Sequence, residues 1–395
     1  MRYNWTHILG LILCIILLHP SIRDLAAHTM HGWGIYLLGL SSLFAYLLVP
    51  AAGALATSVG AVDIPAARKA HSHPTPYFGG LAIFLAFAAV VILNFYFSVE
   101  LKGVALGGAL IFAVGLLDDI WDVSAKVKLL AQIIAVCILI KYNVYISFLP
   151  DTWWGNSGEL LLTALWVIGI TNAFNFIDGL DGLAAGSATI NAIFFGLVAF
   201  MTGQKFMMVL SVALLGSCLG FLRYNFRLSL PADIFMGDAG SNFLGFTLAG
   251  IGIMGEWGRD NLVDIVIPIL ILGVPIFDTT LTTAVRVWSG QVKTFNGWIT
   301  FTGRDHFHHR LSDLGLGNRG AVMVIYIITV WVGLSALTLK DTTGFYAGVG
   351  LLQSAIIFIL IGGFMVFVKS QYARLAGAFK QEGGNQRLPE SEETN

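Results

Sequence analysis

Apolar runs long enough to cross a bilayer recur along the chain, at roughly 33–60, 79–99, 103–117, 127–147, 159–177, 183–202, 206–222, 239–257, 262–283, 321–339 and 345–368. A helix needs about 20 apolar residues to span the hydrocarbon core. Helix is the expected form, because lipid offers no partner to open backbone groups. The period-2 alternation of outer-membrane strands is absent. The pattern therefore predicts an all-α, polytopic integral membrane protein with about eleven transmembrane helices. Pro268 and Pro275 both fall in the ninth run, so that helix is expected to be kinked or broken. A shorter run at 7–18, "HILGLILCIILL", reads as a short extra span or an interfacial helix, since no small-residue cleavage site follows it. The expected organisation is an extension over 1–32, one transmembrane domain over 33–368, and a polar, disordered tail over 369–395.

Charge gives the runs an orientation. Loops after the odd-numbered runs, together with the tail, lie on one face if every run crosses. They carry fifteen Lys and Arg residues against seven on the other face. By the positive-inside rule the first face is cytoplasmic. The chain is 56% hydrophobic and only 11% charged, where a soluble domain has about 25% charged residues. A formal net charge of −1 excludes a nucleic-acid partner recruited by bulk charge. Cys14, Cys137 and Cys218 lie inside apolar runs with no CxxC spacing, so neither a disulfide framework nor a zinc site is read.

The unusual polar clusters all fall on that same face, which predicts one site built from many helices. "DDIWDVSAKVK" closes the third run with Asp118, Asp119 and Asp122. Like charges this close resist joint ionisation unless a cation offsets them, and Lys126 and Lys128 are near in sequence. "NAFNFIDGLDG" spaces Asn172, Asn175, Asp178 and Asp181 by three. Steps of three stay near one helix face, so four oxygen-bearing side chains form a stripe beside lipid, where they are costly without a ligand. "FMGDAGS" sets Asp238 before Gly240 and Ser241 at a helix start. Open N–H groups there suit phosphate, and a carboxylate beside them suits Mg²⁺. Phe235 can stack on a base.

"RDHFHHRL" brings His306, His308, His309 and Arg310 together. Without Cys or HExxH it fits pyrophosphate or sugar better than zinc. Arg68, Lys69 and His71 in "PAARKAHSHP" are routine juxtamembrane positives. Asp278 in "GVPIFDTT" either joins the site or ends its helix.

In order, "DDIWD", "NAFNFIDGLDGLAAG", "MGDAGSNFLGF" and "DHFHHRL" resemble the motifs of the polyprenyl-phosphate N-acetylhexosamine-1-phosphate transferases, over about residues 45 to 320. They look more like the branch that uses UDP-N-acetylglucosamine or a related amino sugar than like the muramoyl-pentapeptide transferases. The resemblance implies attack by a polyprenyl phosphate on the β-phosphorus of a UDP-N-acetylhexosamine, releasing UMP and needing Mg²⁺, with Mn²⁺ as a substitute. It implies a bacterial inner-membrane homodimer that starts a cell-envelope glycan. Asp238 then matches a metal ligand and Asn175 a second metal or diphosphate contact. Asp118 and Asp119 match the pair that deprotonates or orients the lipid phosphate. Asn172, Asp178 and Asp181 match nucleotide-side groups, with Asp178 also among the catalytic carboxylates. Phe235 matches a uracil-stacking ring and Lys128 a diphosphate-binding lysine. His306, His308, His309 and Arg310 match the sugar-phosphate loop, and Gly240 and Ser241 the phosphate-side helix start.

Two rival classes fit less well. The phosphatidyl-group transferases need Arg where Ala185 stands and a later DxxxD that is missing. An ion-coupled transporter predicts acids at mid-membrane depth and repeat symmetry, and neither is seen.

Overall fold

The computed structural model describes residues 3–65, 73–94, 98–227, 229–258, 260–294, 297, 303 and 305–363. Arg68, Lys69, His71 and the 369–395 tail lie outside the described residues. Helices follow the apolar runs closely. They are α1 (Trp5–Leu17), α2 (Pro20–Ala27), α3 (Met30–Val59), α4 (Gly79–Asn94), α5 (Val99–Trp121), α6 (Ala125–Lys141), α7 (Trp153–Ile177), α8 (Leu183–Met201), α9 (Lys205–Asn225), α10 (Gly237–Met254), α11 (Asn261–Ile271), α12 (Gly273–Trp288), α13 (Phe307–Leu311) and α14 (Gly317–Leu339). Two short strands, β1 (Val62–Asp63) and β2 (Thr75–Pro76), pair antiparallel between α3 and α4. A last helix, Gly344–Gly363, leads into a second compact unit that begins at Leu351.

Local chemistry sets the helix ends. Ser98, Thr152 and Asp260 accept backbone N–H bonds as N-caps of α5, α7 and α11. Gly60 closes α3 in the left-handed conformation. The predicted break in the ninth run is real: α11 and α12 meet at 75°, between Pro268 and Pro275. Residues 7–18 form most of α1, which meets α2 at 67° where Pro20 starts the second helix.

The count of spans differs from eleven. Among the described residues, seven helices are long and apolar enough to cross a membrane, or nine if each bent pair is one span. Three expected spans fall short. Helices α4 and α6 have 16 and 17 residues. The third, α10, has 18 residues but carries Asp238, Ser241 and Asn242 in its first turns. Its surroundings explain why it tolerates them: 15 of its 18 residues are buried. It packs on α4, α5, α7 and α8, so neighbouring helices, rather than lipid, are its solvent.

That central helix is approached at van der Waals limits. A Cβ on Gly80 of α4 would lie 2.4 Å from Gly240 Cα, and one on Gly115 of α5 would lie 2.6 Å from Ala239 Cα. Small residues at such crossings let backbones meet and replace the missing hydrophobic drive between helices in lipid. Phe243 of α10 then packs edge-on against Phe84 and Phe87 of α4, and Phe84 stacks on Phe112 of α5.

A Gly80→Ala substitution is expected to lower the thermal unfolding temperature in detergent, by a cost of about 1–3 kcal/mol for overpacking. Gly169→Ala, where a Cβ meets nothing within 4 Å, is the control and should leave it unchanged.

Candidate functional site

The site begins with a helix end that has to be satisfied inside the bundle. The carboxylate of Asp119, on the last turn of α5, accepts the backbone N–H of Asp238 at 2.7 Å and of Ala239 at 3.3 Å. A side chain 119 residues away thus caps the first amides of α10. Its neighbour Asp118 takes other partners. Asp118 Oδ1 accepts Val123 N at 2.6 Å, and Oδ2 accepts Lys128 Nζ at 2.8 Å. Lys128 Nζ also donates to Asp238 Oδ2 at 2.9 Å. One ammonium from α6 therefore bridges carboxylates of α5 and α10, resolving the like-charge conflict that the sequence posed. Lys126 and Asp122 are exposed and take no part in that bridge. The αL backbone of Asp122 ends α5.

The polar stripe at the end of α7 is divided by depth. Asn172 exchanges hydrogen bonds with Gln132 of α6, at 2.9 and 3.3 Å, and ties the two helices together. Asn175 Nδ2 donates to Ser241 Oγ at 3.1 Å, and the same side-chain amide hydrogen-bonds the Asp238 carboxylate. Asp178 closes the helix, and its carboxylate has no hydrogen bond or ion pair among the described residues. Burial, with Asp238, Asp119 and Asp181 around it, pushes that carboxyl well above the usual range. Asp181 Oδ2 accepts Ala232 N at 3.0 Å.

The histidine segment is held from behind. Asp278 Oδ2 lies 3.0 Å from His306 Nδ1, and its Oδ1 accepts Phe307 N at 2.6 Å. Arg286 grips Asp305 with two bonds, at 2.8 and 2.7 Å. Arg310 Nε donates to Asp305 O at 2.6 Å. Asp278 therefore does more than sit in its helix: it ties α12 to the histidine segment. His308 sits over Gly179, where a Cβ would come within 2.5 Å of its Nε2.

These parts surround a cavity of about 940 Å³, lined among others by Asn175, Asp178, Asp181, Phe235, Asp238 and His309. Asp118, Asp119 and Lys128 stand behind Asp238. His306 and Arg310 are buried in the support of the histidine segment. Two expectations change. The first amides of α10 are taken by Asp119, so they are not open to phosphate. Gly240 and Ser241 are buried, Gly240 at the crossing with Gly80, and Asn172 is a helix tether. The wall also holds residues that the sequence reading passed over: Asp63, Tyr77, Asn225, Arg227 and Arg319. Their signal was position alone. Asp63 and Tyr77 flank the polar loop after α3, and Asn225 and Arg227 end a run on the same face. Asn225 joins the walls, accepting Gly182 N at 2.8 Å and donating to Ile234 O at 2.9 Å.

Among the described residues no three His, Cys, Asp or Glu side chains gather into a metal cage. Mg²⁺ does not need one, since it takes one or two carboxylates and fills its shell with water and substrate phosphate. Asp238 and Asn175 offer that kind of oxygen donor set at the cavity wall.

The sequence profile described as glycosyl transferase family 4 matches residues 101–256. A Bacillus subtilis (strain 168) protein named "Probable undecaprenyl-phosphate N-acetylglucosaminyl 1-phosphate transferase" is 39% identical over 328 residues, covering 82% of this chain and 87% of its own. The "Decaprenyl-phosphate N-acetylglucosaminephosphotransferase" of Mycolicibacterium smegmatis is 34% identical, over 79% of this chain and 83% of its own. The "Undecaprenyl-phosphate alpha-N-acetylglucosaminyl 1-phosphate transferase" of Escherichia coli O157:H7 is 29% identical, over 72% and 77%.

The Arg286–Asp305 pair has a measurable acid dependence. Burial alone would raise the Asp305 carboxyl, but Arg286 outweighs it and holds the group below its usual value. A depressed carboxyl contributes stability above the unfolded pKa of about 3.9, and that contribution is lost as pH falls through the folded value. Arg286→Ala should therefore cost about 3 kcal/mol at pH 7. Thermal unfolding should show the gap to wild type narrowing as the pH is lowered below the usual carboxylate range.

Proposed function

This chain belongs to glycosyl transferase family 4, and we propose that it transfers N-acetylglucosamine-1-phosphate from UDP-N-acetylglucosamine to a polyprenyl phosphate, releasing UMP. The observation that carries this reading is the Asp118–Lys128–Asp238 bridge behind a polar cavity large enough for a nucleotide sugar. The names of the relatives support the sugar and the lipid acceptor.

In the proposed reaction an oxygen of the lipid phosphate attacks the β-phosphorus of the donor. The bond from that phosphorus to the bridging oxygen breaks, and UMP leaves with the electron pair. Such transfers need alignment and charge neutralisation more than a covalent partner. Phe235 and Tyr77, with ring centroids 6.2 Å apart, form an aromatic wall for the uracil. Lys128 supplies positive charge where two phosphates would crowd. Asp238 and Asn175 would hold Mg²⁺, which when bound supplies further neutralisation of phosphate charge. His309 faces the donor from the far wall, on a segment fixed by Asp278 and Arg286.

Asp118 is read as an orienting group. Both of its oxygens are engaged, by Val123 N and Lys128. A lipid phosphate with a second pKa of about 6 already carries a nucleophilic oxygen near neutral pH. The Lys and Arg excess supports a cytoplasmic site in a bacterial inner membrane, and a homodimer belongs to the same proposal.

Purified protein should release UMP from UDP-N-acetylglucosamine only when polyprenyl phosphate is present, and chelation of divalent cations should abolish that release. A UDP-sugar panel without turnover would overturn the reading. Asp118→Asn should lower kcat by about a hundredfold at every pH. Recovery of the full rate at alkaline pH would instead assign proton abstraction to Asp118.

A further inference from the structure

The connection between α9 and α10 is gripped by charged side chains from three separate places. Leu230 O accepts Arg319 at 3.1 Å, from the first turn of α14. Pro231 O accepts Arg227 Nε at 2.8 Å, just beyond α9. Ala232 N donates to Asp181 at 3.0 Å, from the α7–α8 connection. Arg319, Arg227, Asp181 and Pro231 all line the cavity. The far end of this connection is held differently, by backbone: Phe235 N donates to Pro76 O and Phe235 O accepts Gly79 N, both at 2.9 Å.

Among the described residues the near half, Leu230–Asp233, has one such backbone tie, from Asp233 N to Tyr224 O. Its shape therefore depends on side chains. The three grips are not equivalent. Arg227 is also paired with Asp233 at 2.8 Å, so it braces the loop against itself. Asp181 belongs to the floor. Arg319 alone reaches the loop from α14, which follows the left-handed residues Gly315 and Gly317 and the histidine segment. Its guanidinium makes this one hydrogen bond and no ion pair among the described residues.

We infer that Arg319 is a positioning residue for nucleotide recognition: through the Leu230 carbonyl it holds the loop that sets Pro231 in the wall of the cavity, and that wall sets the affinity for the uridine nucleotide. The inference rests on the donor proposed above. A charged donor on a carbonyl is among the stronger single hydrogen bonds. Its loss lets that wall relax, without touching Lys128, Asp118 or Asp238. The effect thus falls on binding and spares the chemical step.

The test uses full-length protein in detergent, with UMP binding by calorimetry beside steady-state turnover of UDP-N-acetylglucosamine. Arg319→Ala is expected to raise both the UMP Kd and the donor KM about tenfold. It should leave kcat within about twofold and the polyprenyl phosphate KM unchanged. Arg319→Lys, which still donates to a carbonyl, should restore most of the affinity. If wild type binds UMP and Arg319→Ala binds it equally well, the inference is wrong. It is also wrong if kcat falls at constant KM, or if lysine fails to rescue, since the guanidinium would then act on the substrate itself. A wild-type protein that neither turns over the donor nor binds uridine nucleotides overturns the proposed function, and this inference with it.

Discussion

Everything at this site depends on ending a helix inside the bundle without stranding its amides. An N-terminus packed among other helices has N–H groups with few partners in reach, and each is costly to leave unmet. The Asp119 carboxylate meets two of them on α10. Once α10 is anchored there, Asp238 is fixed one residue into the helix, within reach of Lys128. The glycine crossings at Gly80 and Gly115 hold the same helix end sideways against α4 and α5. Position and charge are set by one arrangement.

The distribution of charge fits a site for anionic ligands that lies beside lipid. Four carboxylates, Asp63, Asp178, Asp181 and Asp238, line the cavity, a poor setting for phosphates unless cations intervene. Lys128 pairs with Asp118 and Asp238 at once, so one carboxylate of the wall already has its counter-charge. Groups that need orientation are buried and tied, as with His306 on Asp278 and Arg286 on Asp305. Asp178, at the cavity wall, has no such tie among the described residues.

Much of this was legible in the residues. Apolar runs located nearly every helix, and two prolines located the break between α11 and α12. Among the described residues, the clusters around Asp118, Asn175, Asp238 and His309 come together at or behind one cavity. What the pattern could not separate was depth. Asn172 and Asn175 share a helical stripe, yet one turn places the first between helices and the second at the site. Likewise Asp118 and Asp119 are adjacent in sequence and point to different tasks. A helix start such as "GDAGS" announces free amides but not who caps them, since the partner is 119 residues away. Arg319 carried no local signal at all. Its place follows from a contact across 89 residues.

The polarity of α10 also bears on how the protein is made. A segment with Asp, Ser and Asn in its opening turns is a weak candidate for entering lipid by itself. The helices that enclose it most, α4, α5, α7 and α8, all precede it along the chain. By the time α10 leaves the ribosome its slot can already exist, so it is expected to insert into a waiting protein groove and not into bare bilayer. Biogenesis, and not only chemistry, would then constrain the order in which these segments are encoded.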